Sequence, residues 1–117
     1  MFTKPITIVE TAAFLRHAQA IWSDEERAAL VDYLARNPES GELIPGTGGV
    51  RKVRWSRAGS GKRGGARVIY FYYHVDAPLY LLLTYAKASS EDMTPEQKKA
   101  VVVLTAALKR QHPPRKE

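Results

Sequence analysis

Seven cationic side chains, Arg51, Lys52, Arg54, Arg57, Lys62, Arg63 and Arg67, fall between positions 51 and 67 with no acidic residue among them. They outnumber the formal net charge of +6 of the whole 117-residue chain, whose remaining 11 basic and 12 acidic residues nearly cancel. An evenly basic surface serves solubility, whereas a localised one is an electrostatic footprint for a polyanion. The bland alternative is a solvated basic hairpin with no ligand. The chemistry open to such a cluster is phosphate chemistry. RNA can be cut by its own 2′-hydroxyl attacking the adjacent phosphate, so a protein acting on it needs neither a nucleophile nor a metal. It must orient the RNA, move protons and stabilise the extra negative charge of the phosphorane. Arginine suits the last task because it stays charged and grips phosphate oxygens as a fork. A lysine, with a reference pKa of about 10.4, becomes a better acid or base when neighbouring cations push that value down. Lys52 and Lys87 are both candidates.

The elements that must position these groups are β-strands. Arg51 to Ser56 alternates, with Val53 and Trp55 pointing one way and Lys52 and Arg54 the other, the period of a half-buried strand. Arg67 to His74 is β-branched and aromatic throughout and is expected at the centre of a sheet. Asp76-Ala77-Pro78 makes a turn, and Leu79 to Lys87 is a third β run. If that turn centres on Ala77, Tyr73 opposes Leu81 and Arg67 opposes Lys87. Two cations side by side are costly unless an anion lies between them, so this register expects a ligand phosphate at that end of the sheet. The stretch Arg57 to Gly65 is Gly-rich and basic. Its spacing fails the GxxxxGK[ST] pattern of a nucleotide-binding loop, and it reads as a loop resting on RNA phosphates through Arg57, Lys62 and Arg63.

Around this meander the sequence predicts helices. Ile6 to Val9 reads as a short first strand and Ala12 to Ile21 as a short helix carrying Phe14, Leu15 and Ala18 on one side. Ser23-Asp24-Glu25-Glu26 is a capping box. It opens a helix that buries Ala28, Leu30, Val31, Leu34 and Ala35 and ends near Asn37-Pro38. Pro38 to Gly49 reads as a loop. Thr94-Pro95 starts a last helix with Val101, Leu104, Ala107 and Leu108 as its apolar stripe, and His112 to Glu117 as a frayed tail. The length fits one α+β domain over residues 1–117.

Other classes drop out. With no cysteine there is no disulfide, thiolate metal site or cysteine nucleophile. His17, His74 and His112 are isolated in sequence and outline no metal site, and no cofactor is called for. Tyr70, Tyr72 and Tyr73 could stack bases, although strand aromatics more often belong to the core. Neither a signal peptide nor a membrane span is readable, so a cytoplasmic protein is expected.

The run Gly46-Thr47-Gly48-Gly49-Val50-Arg51-Lys52-Val53-Arg54, then Gly61-Lys62-Arg63-Gly64-Gly65-Ala66-Arg67-Val68-Ile69-Tyr70, then Tyr85-Ala86-Lys87 resembles the RelE/ParE superfamily of toxins, closest to the HigB branch. The resemblance covers about Pro38 to Leu108. It implies helices packed on a curved antiparallel sheet, and an endoribonuclease that cuts messenger RNA on the ribosome and so inhibits translation. It also implies a helix-turn-helix antitoxin as cognate inhibitor; the toxin alone is expected to be a monomer. Residue by residue, it carries the catalytic roles to Lys52 and Arg54 on the first meander strand, to Arg67 at the scissile phosphate and to Lys87. Arg51, Arg57, Lys62 and Arg63 are expected to bind RNA. The chain departs from the pattern at Ala88, where an arginine is common, and in having no tyrosine after Tyr85. Two rival functions remain open: a ParE-like toxin acting on DNA gyrase, and a non-catalytic nucleic-acid-binding module with strong salt dependence.

Overall fold

The computed structural model describes residues 5–56, 65–86 and 92–113. Its elements are β1 (Ile8–Glu10), α1 (Ala12–Ile21), α2 (Asp24–Arg36), β2 (Glu42–Leu43), β3 (Val50–Trp55), β4 (Ala66–Phe71), β5 (Leu79–Ala86) and α3 (Pro95–Gln111). The fold is α+β, with three helices on a five-stranded sheet of order β1-β5-β4-β3-β2. β2 to β5 are antiparallel neighbours, but β1 pairs parallel with β5, so the sheet is mixed rather than wholly antiparallel.

Local signals set the helices. Thr11 caps α1 by accepting from Phe14 N, while its hydroxyl donates to Leu81 O at 2.7 Å and so hooks the helix to β5. Ser23 and Thr94 head full capping boxes with Glu26 and Gln97, as their sequences predict. α1 and α2 cover one face of the sheet. There Phe14, Ala18, Trp22, Leu30 and Leu34 pack with Ala66, Val68, Tyr70, Leu79 and Leu81. α3 covers part of the other face, where Val101 and Leu108 meet Val50, Ile69, Phe71, Leu82 and Leu83. The stripe expected on α3 shifts: Val101, Thr105 and Leu108 are buried, and Leu104 is 40% exposed. A line through positions 101, 105 and 108 is the ridge that a helix lays on a sheet, and Leu104 falls to its side.

β4 is central and all six of its residues are buried. It ends at Phe71, three residues before the expected end. Tyr72 to Pro78 form the connection, closed by Ala77 N donating to His74 O and Asp76 N donating to His74 Nδ1. Since Nδ1 accepts, Nε2 carries the hydrogen and donates to His112 O at 2.9 Å. His112 is not isolated either, because its Nε2 lies 2.7 Å from Tyr80 Oη. The two histidines tie the end of α3 to the sheet.

The stretch read as a loop from Pro38 to Gly49 contains β2 and a hairpin turn. Thr47, almost fully buried, donates its hydroxyl to Ile44 O and accepts from Val50 N. Gly46, Gly48 and Gly49 supply the positive φ values this turn requires. Tyr70 anchors the loop from inside: its hydroxyl donates to Pro38 O at 2.9 Å and accepts from Gly41 N at 2.8 Å. It is core, not a base platform. A Cβ on Gly41 would sit 2.8 Å from Tyr70 Oη and 3.0 Å from Lys52 O, so only glycine lets the loop pass this close.

Burial pushes the Tyr70 phenol above the usual tyrosine value, outweighing the lowering effect of the Gly41 hydrogen bond. Because the folded-state value is raised, the stabilisation is complete below the unfolded pKa of about 10 and is lost as pH rises through the raised value. Tyr70→Phe is expected to cost about 1–3 kcal/mol by leaving Gly41 N and Pro38 O without their partner. It should also flatten the loss of stability above pH 10. Denaturant midpoints of both proteins across that range check both outcomes.

Candidate functional site

Alternation along β3 and β4 decides which cations meet. Val50 packs on the α3 face, so Lys52 and Arg54 share that face, and Arg67 shares it with Ile69 and Phe71. Arg54 and Arg67 are direct cross-strand partners. On its other side Arg67 is paired with Tyr85, not Lys87. The expected Arg67–Lys87 pair is therefore overturned. The connection is centred before Ala77, which alone would set Arg67 opposite Thr84, and a bulge at Ile69/Tyr70 moves the ladder back by one residue to Tyr85. The juxtaposition of two cations survives with a different partner. It is Arg54 that faces Arg67, and Tyr85 completes a row across three strands.

Arg67 is only 3% exposed and yet lines a cleft of about 320 Å³, together with Ser40, Glu42, Lys52, Val53 and Arg54. A guanidinium cannot shed its charge to relieve burial, so this cleft holds a fixed positive floor. Lys52 lies one row further along, opposite Ile69 on one side and Glu42 of β2 on the other. Its ammonium is 3.2 Å from Asp92 Oδ1, in the segment leading to α3. The site thus combines two opposed arginines, a lysine held by a carboxylate, and a second carboxylate on the rim. That set can grip a phosphodiester and exchange protons beside it.

Arg51 belongs elsewhere. It points to the opposite face, where Nη1 donates to Glu39 O at 3.1 Å and Gly41 O at 2.8 Å, and Nη2 lies 3.8 Å from Glu39 Oε2. It braces the 39–41 loop from outside as Tyr70 braces it from within. Lys87, Arg57, Lys62 and Arg63 lie outside the described residues. Tyr73 stacks on Phe71 and receives the Lys109 ammonium 5.6 Å from its ring centroid. Among the described residues, no three His, Asp or Glu side chains converge to hold a metal ion.

A protein-family model described as the RelE toxin of the RelE/RelB toxin-antitoxin system matches residues 7–112. The chain belongs to the RelE toxin family. Family membership makes it a toxin of a toxin-antitoxin system, and its partner an antitoxin. The match spans every element from β1 to α3, so the Arg54–Arg67–Tyr85 row belongs to the RelE domain itself. No described helix of this RelE protein is long and apolar enough to cross a membrane.

Glu42, Ser40 and Asp92 were not candidates by sequence. Glu42 is recoverable in principle: a hairpin closed over the Gly46–Gly49 turn sets it opposite Lys52. Asp92 carries no local signal, since it meets Lys52 across 40 positions.

Two opposed arginines over a cleft predict an anion-dependent stability. Inorganic phosphate at millimolar concentration is expected to raise the melting temperature by about 4 °C, the shift that ~1 kcal/mol produces in a domain of this size. The rise should vanish in Arg54→Ala and Arg67→Ala and persist in Arg51→Ala. Differential scanning calorimetry with chloride as the control salt distinguishes these cases.

Proposed function

We propose that this toxin is a metal-independent endoribonuclease, of the HigB branch, that cleaves messenger RNA engaged on the ribosome and so blocks translation. The observation that carries the reading is the Arg54–Arg67 pair on the floor of the cleft. Like charges directly opposed on a sheet are unfavourable by themselves, and a phosphate between them turns that cost into a bidentate grip. In the reaction the substrate's 2′-oxygen forms a bond to phosphorus as the bond to the 5′-oxygen breaks. The 2′ proton leaves to a base and the 5′-oxygen receives one from an acid. Arg67 and Arg54 stabilise the charge that builds on the non-bridging oxygens. Lys52, one row from the Arg54–Arg67 pair on the same face, is assigned to proton exchange once phosphate displaces Asp92 from it, with Lys87 as the second lysine. Arg57, Lys62 and Arg63 are assigned to RNA binding, while Arg51 supports the site by holding the 39–41 loop. The helix-turn-helix antitoxin is the inhibitor that fits this reading.

Arg67→Ala is expected to fold, by circular dichroism, and to lose growth inhibition, since removing one positioned donor typically lowers rate on the order of 10²–10³-fold. A folded variant that still arrests growth would remove Arg67 from the active site.

Purified protein should cut free RNA slowly and ribosome-bound messenger quickly with chelator present, because orientation by a macromolecular partner supplies much of the rate. The products should carry 2′,3′-cyclic phosphate and 5′-hydroxyl ends. A 3′-hydroxyl end would exclude attack by the 2′-oxygen. Growth arrest with intact transcripts and altered plasmid supercoiling would instead identify a gyrase-directed toxin.

A further inference from the structure

The helix α3 has a second side. Val101, Thr105 and Leu108 are buried against the sheet, whereas Glu96, Ala100, Val103, Leu104 and Arg110 are exposed, Val103 by 68%. Glu96, Ala100, Val103, Ala107 and Arg110 follow one another at intervals of four, three, four and three residues. That is the spacing of a single seam along a helix, with Leu104 beside its centre. One exposed valine would need no explanation, but an apolar run closed by opposite charges at its two ends is a pattern. Among the described residues, neither Glu96 nor Arg110 has an ion-pair partner. Lys98 and Lys109 turn elsewhere, their ammoniums 3.9 Å and 3.1 Å from where a Cβ would stand on Gly46 and Gly48. The seam therefore lies away from the Gly46–Gly49 turn, and none of its residues lines the phosphate cleft.

The order of the seam points to what covers it. Counted outward from Val103, each direction meets an alanine and then a charge seven residues away, negative toward the N-terminus and positive toward the C-terminus. Such a seam is complementary to itself when a second copy runs antiparallel. Val103 and Leu104 then meet their counterparts at a two-fold axis, and Ala100 packs on Ala107 of the second copy, where two small side chains let the helices approach closely. Glu96 lies beside Arg110 of the second copy, and the two-fold makes that pair twice. A parallel pairing would set Glu96 against Glu96 and Arg110 against Arg110. A purely acidic partner would satisfy Arg110 and be repelled by Glu96, whereas a second copy satisfies both. We infer that α3 is a self-association surface, through which two copies of this toxin form an antiparallel, two-fold dimer. This departs from the monomer expected from the family resemblance. The seam spans 14 residues of helix, about 21 Å at the rise of an α-helix. Such a contact is shorter than a standard interface, so the dimer forms at micromolar rather than nanomolar concentration.

Sedimentation equilibrium of the full chain, purified free of antitoxin, tests this. The mass is expected to rise from 13.1 kDa toward twice that value between about 1 and 500 µM protein. Val103→Glu should keep its circular dichroism and stay monomeric. Glu96→Arg and Arg110→Glu should each weaken dimerisation about tenfold, since each reversal turns two ion pairs into two like-charge contacts. Mixed in equal amounts, these two variants should associate again, because a seam with positive ends then meets one with negative ends. A chain that stays monomeric across the range overturns the inference and leaves the seam to another occupant, such as an antitoxin helix. Dimerisation that neither reversal weakens, or that mixing does not restore, places the interface elsewhere and overturns it equally.

Discussion

The central strand must be apolar on both faces and yet carry a cation. β4 is sandwiched between α1 and α2 on one side and the α3 layer on the other, and its side chains from Val68 to Phe71 satisfy both layers. Arg67 breaks that pattern at the strand's first turn inside the sheet, where burial would ordinarily exclude a guanidinium. Its own face opens onto a cleft, and strands on both flanks fix its backbone through the ladder. Because β4 cannot shift by one residue without exchanging its two buried faces, Arg67 cannot drift from Arg54. Rigidity of the core is thereby converted into position at the site.

The loop behind the cleft is held by the same strands. Tyr70 reaches from β4 to Pro38 and Gly41, and Arg51 reaches from β3 to Glu39 and Gly41. Ser40 and Glu42, which line the cleft, are bracketed by these contacts. Two side chains on the face away from the cleft therefore set the cleft's wall. Trp22 adds a third tie, its indole donating to Ser56 O at 3.1 Å just beyond β3. Substitutions on the helical face can then alter the site without lining the cleft.

What was legible in the sequence follows the range of each signal. Ser23 and Thr94 mark helix starts because a cap is satisfied within three residues. The alternation Lys52-Val53-Arg54-Trp55 marks β3 because Val53 and Trp55 pack half-buried against the α1–α2 core while Arg54 is exposed. The same alternation puts Arg51 on the far side, and it is missed when cations are grouped by charge rather than by face. Register across β4 and β5 depends on a connection length and a bulge that composition does not encode, so a turn centred on Ala77 predicts Lys87 opposite Arg67 where the ladder has Tyr85. The parallel pairing of β1 with β5 and the Lys52–Asp92 contact are longer-range still; nothing near either partner announces them.

Counting cations consequently overstates the electrostatic footprint of this toxin. Of the basic residues in the described part of the cluster, Arg51 is held by loop carbonyls and Glu39 on the wrong face, and Lys52 is paired with Asp92. Salt dependence of nucleic-acid binding reflects the phosphates that a protein neutralises, not its formal charge. A cation already paired with a carboxylate must exchange that partner before it neutralises a phosphate, and a cation on the other face neutralises none. On the described sheet the cations that face the cleft together are Arg54 and Arg67, with Lys52 entering by exchange. Such an arrangement favours one well-placed phosphate over a long diffuse track, and it is a geometry suited to stabilising a single pentacoordinate centre.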